Sequence, residues 1–164
     1  MAVLRFLSLT TLAVWVGGLG ILGGIAAPVM FATLQESDPV GGREAAGVLF
    51  GVIFQYFQAA SWVCGGILLA LLGVRAALGP RPRRLSIRIW TLIAMLAISI
   101  GTSMFVVPRI EGLRASAAGT ITSLPADDPK RVEFGRLHGL SNGLMLLTLA
   151  GGLLLLWLEA RDTA

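Results

Sequence analysis

The chain has one cysteine, Cys64, and one histidine, His138, among 164 residues. A lone thiol can build neither an internal disulfide framework nor a thiolate-only metal cluster, so staples and zinc fingers are excluded as the source of stability. A lone imidazole excludes a bis-histidine haem within the chain, although a symmetric dimer would supply two. Charge is also scarce, at 13% of residues against 55% hydrophobic, with a mean hydropathy of +0.82. So few polar groups could not cover the surface of a soluble domain of this size. P-loop, Gly-x-Ser-x-Gly and His-Glu-x-x-His patterns are missing too, which removes the common signatures of nucleotide binding, serine hydrolysis and zinc proteolysis.

What is present is four long apolar runs, over residues 6–34, 47–78, 87–107 and 137–158. Each reaches the roughly 20 residues a helix needs to cross a bilayer. Hydrocarbon offers the backbone no water, so the chain must satisfy its own N–H and C=O groups as helices or as a closed barrel. The runs are rich in Leu, Ala and Gly without the alternation of a barrel strand, which selects helices. The expected fold is all-α, an integral membrane four-helix bundle forming one membrane domain over residues 1–164. A kink is expected near Pro28. Ile25-Ala26-Ala27 resembles a signal-peptidase site, but the apolar stretch before it exceeds an h-region of about 7–15 residues and the basic start is thin, which favours a retained span.

The sequence pI of about 10.6 does not indicate nucleic acid, because the bases concentrate in one short loop. Arg75, Arg81, Arg83, Arg84 and Arg88 surround that loop without an acid. The positive-inside rule puts it, and with four spans both termini, on the cytoplasmic side of a cell membrane. Anionic lipid head groups are the expected neighbours of Arg81, Arg83 and Arg84, at about 1 kcal/mol per arginine near the surface. The third loop, residues 108–136, is the largest element expected outside the membrane.

Laid over itself at an offset of about 80 positions, the sequence pairs Thr11 with Thr91, Leu12 with Leu92, Pro28 with Pro108, Phe54 with Phe134 and Ser61 with Ser141, while Gln58 falls on His138. Such a pattern describes two repeated helical hairpins related by an axis along the membrane normal.

Polar residues inside the runs are the candidates for chemistry. His138, Ser141 and Asn142 share one helical face with Met145, and Gln55, Gln58 and Trp62 share another, with Ser61 beside them. Ser99, Thr102 and Ser103 cluster on the third run. In hydrocarbon these groups must pair or face a wet cavity. One reading joins the faces as interhelical hydrogen bonds. The other has Gln55, Gln58, Ser61, His138, Ser141 and Asn142 lining a small cavity for a solute or ion between the second and fourth helices. Arg109 and Arg136, near the outer helix ends, are candidate outer-mouth charges, with snorkelling anchors as the alternative. Gly20 and Gly24 fall in small-xxx-small spacing, with Gly17 on nearly the same face, and suit close approach of another helix, internal or from another subunit. Cys64, Met30, Met104 and Met145 have soft sulfur atoms but no clustered spacing, so no metal or cofactor is expected from the pattern.

Trp15-Val16-Gly17-Gly18, Ala27-Pro28-Val29-Met30-Phe31, Val107-Pro108-Arg109-Ile110 and Phe134-Gly135-Arg136-Leu137-His138 with Ser141 and Asn142 resemble the transmembrane-protein-205-like family, also called domain of unknown function 4149. The resemblance spans nearly the whole chain. It implies a small polytopic membrane protein with no established reaction, whose eukaryotic relatives are linked to platinum-drug resistance. Taken together, the expectation is a non-enzymatic membrane protein that handles a small solute or ion; catalysis would lack a carboxylate within the apolar runs. A structural or assembly subunit, with a homo-oligomer or membrane partner, is the alternative, and a soft-metal or haem-linked protein the next.

Overall fold

The computed structural model describes residues 2–79, 81–117 and 119–161. It contains α1 (Ala2–Ile21), α2 (Ala27–Ser37), α3 (Gly42–Leu78), α4 (Leu85–Gly101), α5 (Val107–Ala115) and α6 (Pro129–Arg161). Short π-helical stretches, Leu22–Ala26 and Thr102–Val106, join α1 to α2 and α4 to α5 without a break. The result is four spans, Ala2–Ser37, Gly42–Leu78, Leu85–Ala115 and Pro129–Arg161.

The spans hold 31 to 37 residues, longer than the apolar runs inside them. At about 1.5 Å per residue they reach roughly 46–55 Å, against about 30 Å of hydrocarbon, so their charged ends stand in the head-group layers. Hydropathy marks the hydrocarbon, whereas helix formation continues until a breaker intervenes. For that reason the third loop is shorter than expected: α5 continues to Ala115, α6 starts at Pro129, and the turn Ile121–Ser123 lies between.

Each π-helical stretch sits immediately before a proline, Pro28 in α2 and Pro108 in α5. Proline lacks an N–H and its ring clashes with the carbonyl one turn earlier, and a wider π turn accommodates both defects. The bend expected at Pro28 is therefore a change of helical register, and it occurs twice.

Consecutive spans pack side by side and the fourth closes against the first, since α1 touches α3 and α6, and α4 touches the same two. Leu12, Trp15, Leu19, Leu68, Leu72, Leu92, Met95 and Leu155 form the core. Only 28% of each apolar window is buried, and Val14, Ile25, Val63, Trp90, Phe105 and Leu146 point outward. Such a girdle is a lipid-facing surface; in water it would be an aggregation patch.

At the offset of 80 positions the register of burial matches over part of the bundle. Leu12, Trp15, Leu19 and Leu22 are buried, and so are the positions about 80 further on, Leu92, Met95, Ser99 and Thr102. In the other hairpin position, Leu68, Leu72 and Arg75 correspond in the same way to Thr148, Gly152 and Leu155, all buried. The match ends there: Phe54, Gln58 and Ser61 are buried, whereas Phe134 and Ser141 are half-buried and His138 is exposed.

Candidate functional site

Polar pockets follow one another along the bundle, from the end carrying α2 and α5 to the end carrying the arginine-rich loop, called the outer and inner ends after the sidedness expected from the sequence. The outer one is a cavity of about 80 Å³ lined from all four spans, by Phe31, Phe50, Phe54, Val107, Glu111, Arg114, His138, Ser141, Asn142 and Met145 among others. Arg114 is held there by two contacts. Its guanidinium lies 5.4 Å from the centre of the Phe134 ring, and its other side rests on Gly47, where a Cβ would collide with Nη2. Phe134 also stacks on His138, with ring centres 6.1 Å apart. The cavity thus offers a carboxylate, a guanidinium, an imidazole, a hydroxyl and an amide above an aromatic wall. This set suits a small ligand with both polar and apolar parts.

A second void of about 10 Å³ lies deeper and shares Phe54, Ser141 and Met145 with the first. Gln58, Ser99, Thr102 and Thr148 line it. Gln58 Nε2 donates to the Ser99 carbonyl at 3.1 Å, Ser99 Oγ donates to Gln58 Oε1 at 3.1 Å, and Trp62 Nε1 donates to Ser99 Oγ at 3.0 Å. Thr102, only 3% exposed and at the start of the second π-helical stretch, has its Oγ1 buried without a protein partner. A buried hydroxyl in that state is expected to meet water or a ligand, and about 10 Å³ is close to what one water needs.

Below this void the path closes. On α1 the sequence runs from Leu19, which lines the central void, through Trp15 to Leu12, which lines the next pocket; on α4 it runs from Ser99 through Met95 to Leu92. Trp15 and Met95 are 1% and 2% exposed, which makes them an apolar plug. Gly151 and Gly152 admit this packing, since a Cβ on Gly151 would press on Met95 and one on Gly152 on Val16.

At the inner end lies a charged cluster that sequence reasoning missed. Glu159 is 2% exposed and uses one carboxylate oxygen for Arg75 and the other for Arg88. Arg88 also donates to the Leu158 carbonyl at 2.8 Å, and Arg5 donates to the Glu159 carbonyl at 3.0 Å. Sequence reasoning assigned Arg75 and Arg88 to a solvated loop and found no carboxylate among the spans; the structure instead buries all three between α3, α4 and α6. A lone acid at the end of an apolar run, level with arginines on the other helices, was the available signal.

The other expected site residues divide. His138, Ser141 and Asn142 line the outer cavity with Glu111 and Arg114, and of the second helix's glutamines only Gln58 shares a void with this set, meeting Ser141 in the deeper one. Gln58 faces the third span, Ser61 donates to the Phe57 carbonyl of its own helix at 2.9 Å, and Gln55 donates to Glu111 at 2.9 Å on an exposed seam. Arg109 and Arg136 are exposed and do not line the cavity; the arginine that lines it is Arg114. A Cβ at Gly17, Gly20 or Gly24 would meet nothing within 4 Å, so among the described residues no other helix packs on them. Met104 faces outward, Met145 lines the outer cavity and Cys64 packs against the core, so these soft atoms belong to different surroundings.

No curated protein and no solved structure matches the chain. A family model does, over residues 10–119, which takes in most of the first three spans and stops before α6. Matched over more than half of its length, this four-span membrane protein belongs to the family described as domain of unknown function DUF4149.

Proposed function

We propose that the chain is a non-enzymatic membrane protein, of the transmembrane-protein-205-like type, that admits a small amphipathic solute or ion from the outer face of a cell membrane. The observation that carries this reading is the outer cavity, to which all four spans contribute and in which Glu111, Arg114, His138, Ser141 and Asn142 meet an aromatic wall. The central void continues it, with the unpartnered Thr102 hydroxyl as a second polar stop, and the Trp15–Met95 plug supplies the gate that any carrier needs. Arg5, Arg75, Arg81, Arg83, Arg84, Arg88 and Arg161 share the inner end, which supports a cytoplasmic assignment for that end and for both termini.

A second reading, an assembly subunit, is favoured by the bare face of Gly17, Gly20 and Gly24, which would let a helix from a second copy or another membrane protein approach closely. The two readings differ in what they require of the cavity. In proteoliposomes lacking the native thiol (Cys64→Ser), Asn142→Cys is expected to react with a membrane-impermeant maleimide added outside, while a cysteine at Met95 does not. Stopped-flow light scattering then reads the entry of glycerol, urea and small ammonium salts, and Ser141→Leu is expected to slow whichever solute enters. An unreactive Asn142→Cys would refute the open cavity. Solute entry equal to that of empty vesicles across the panel would leave assembly as the function.

A further inference from the structure

The inner face carries a pocket that the solute pathway does not use. It has a volume of about 100 Å³ and is lined by Arg83, Arg84, Arg88, Trp157, Leu158 and Arg161. No acidic side chain lines it among the described residues. That volume is several times the roughly 10–15 Å³ one water needs, so it has room for a group larger than a solvent molecule.

Two of its arginines are held in place by contacts. Arg88 is only 2% exposed, anchored by Glu159 and by the Leu158 carbonyl, so its guanidinium is committed to the back of the pocket. Arg161 lies 4.3 Å from the centre of the Trp157 ring, a cation–π contact that keeps a long side chain at the rim. Arg84 takes a left-handed backbone conformation, φ 56°, where the chain turns into α4, which turns Arg83 and Arg84 onto the same corner of the bundle. Planar guanidiniums converging from two helices match the oxygens of a phosphate, which they can grip in pairs. Trp157, 43% exposed, supplies an apolar edge beside the arginines, as tryptophans do at the head-group level of membranes.

We propose that this pocket, between the start of α4 and the end of α6, is a binding site for a phosphate group, and that the phosphate is that of an anionic lipid. It extends the head-group contact expected of Arg83 and Arg84 to a defined site completed by Arg161 and Trp157. The cytoplasmic orientation decides only which leaflet supplies the lipid; binding itself does not depend on it or on solute entry.

The test uses the full chain in neutral detergent, where leaflets do not exist, so failure of the orientation or of the solute reading leaves its result unaffected. The delipidated protein is offered equal amounts of phosphatidylglycerol and phosphatidylcholine with identical tails, and retained lipid is counted by native mass spectrometry. Inorganic phosphate alone is offered in a separate arm. The wild type is expected to retain one phosphatidylglycerol per chain, in preference over phosphatidylcholine by up to a hundredfold, on the order of three surface arginines acting together. Arg83→Gln/Arg84→Gln/Arg161→Gln is expected to lose that preference. These three side chains are exposed, and unchanged helical circular dichroism shows that the variant is folded. A charge-matched control at the other end, Arg43→Gln/Arg109→Gln/Arg136→Gln, is expected to keep it. Equal loss in both variants, or no preference in the wild type, overturns the site. Phosphate that binds alone and displaces the lipid at millimolar concentration overturns the lipid as its source.

Discussion

The sharpest consequence of the buried cluster is the cost of Glu159→Ala. The carboxylate is 2% exposed and its two arginine partners have side chains 3% and 10% exposed, so the substitution leaves two guanidiniums enclosed by helices with their shared counter-charge gone. Breaking a buried pair from one side typically costs about 3–5 kcal/mol, because the remaining charge keeps its desolvation penalty and loses its compensation. Here the two arginines also repel once the carboxylate is removed, which points to the upper half of that range. Removing all three charges together, in Arg75→Met/Arg88→Met/Glu159→Met, is expected to cost less than Glu159→Ala alone, since no uncompensated charge remains. Reversible unfolding by dodecyl sulfate in mixed micelles, followed by circular dichroism, measures both. A loss below about 1 kcal/mol for Glu159→Ala is the range of a solvated ion pair and would refute the claim that this cluster is shielded from water.

Gly152→Leu forces a branched side chain into Val16 and Met95 and is expected to cost about 1–3 kcal/mol in the same assay, whereas Gly20→Leu/Gly24→Leu is expected to stay within about 0.5 kcal/mol because that face is bare. If the glycine face mates with a second copy, the double variant instead halves the mass measured by light scattering. Gln58→Leu removes the buried bonds to Ser99 and is expected to cost about 0.6–2 kcal/mol, with Trp62 emission shifting as its acceptor reorients. In the outer cavity, Arg114→Gln is expected to change the entry rate of any solute that the wild type admits by several-fold, and Arg109→Gln/Arg136→Gln to leave it unchanged; equal effects would remove Arg114 from the site.

Composition determined the solvent, and the length and patterning of the apolar runs determined the number of spans and the helical class. Each follows from a local demand, that a backbone in hydrocarbon must close its own hydrogen bonds over about 20 residues. The repeat was faintly legible, because Pro28 and Pro108 recur at matching places and proline imposes its register defect wherever it stands. The set His138, Ser141 and Asn142 was legible for the same reason: helical spacing puts them on one face whatever lies opposite. Which face lay opposite was not. Gln58 turned to Ser99 and not to His138, Arg114 and not Arg109 reached the outer cavity, and Arg75 and Arg88 turned inward to Glu159. A helix's own sequence sets the direction of each side chain around its axis, but the rotation and depth at which helices dock depend on neighbours far away in the chain. Only the packed bundle decides those, and with them which charges are buried, which glycines stay bare and where a ligand has room.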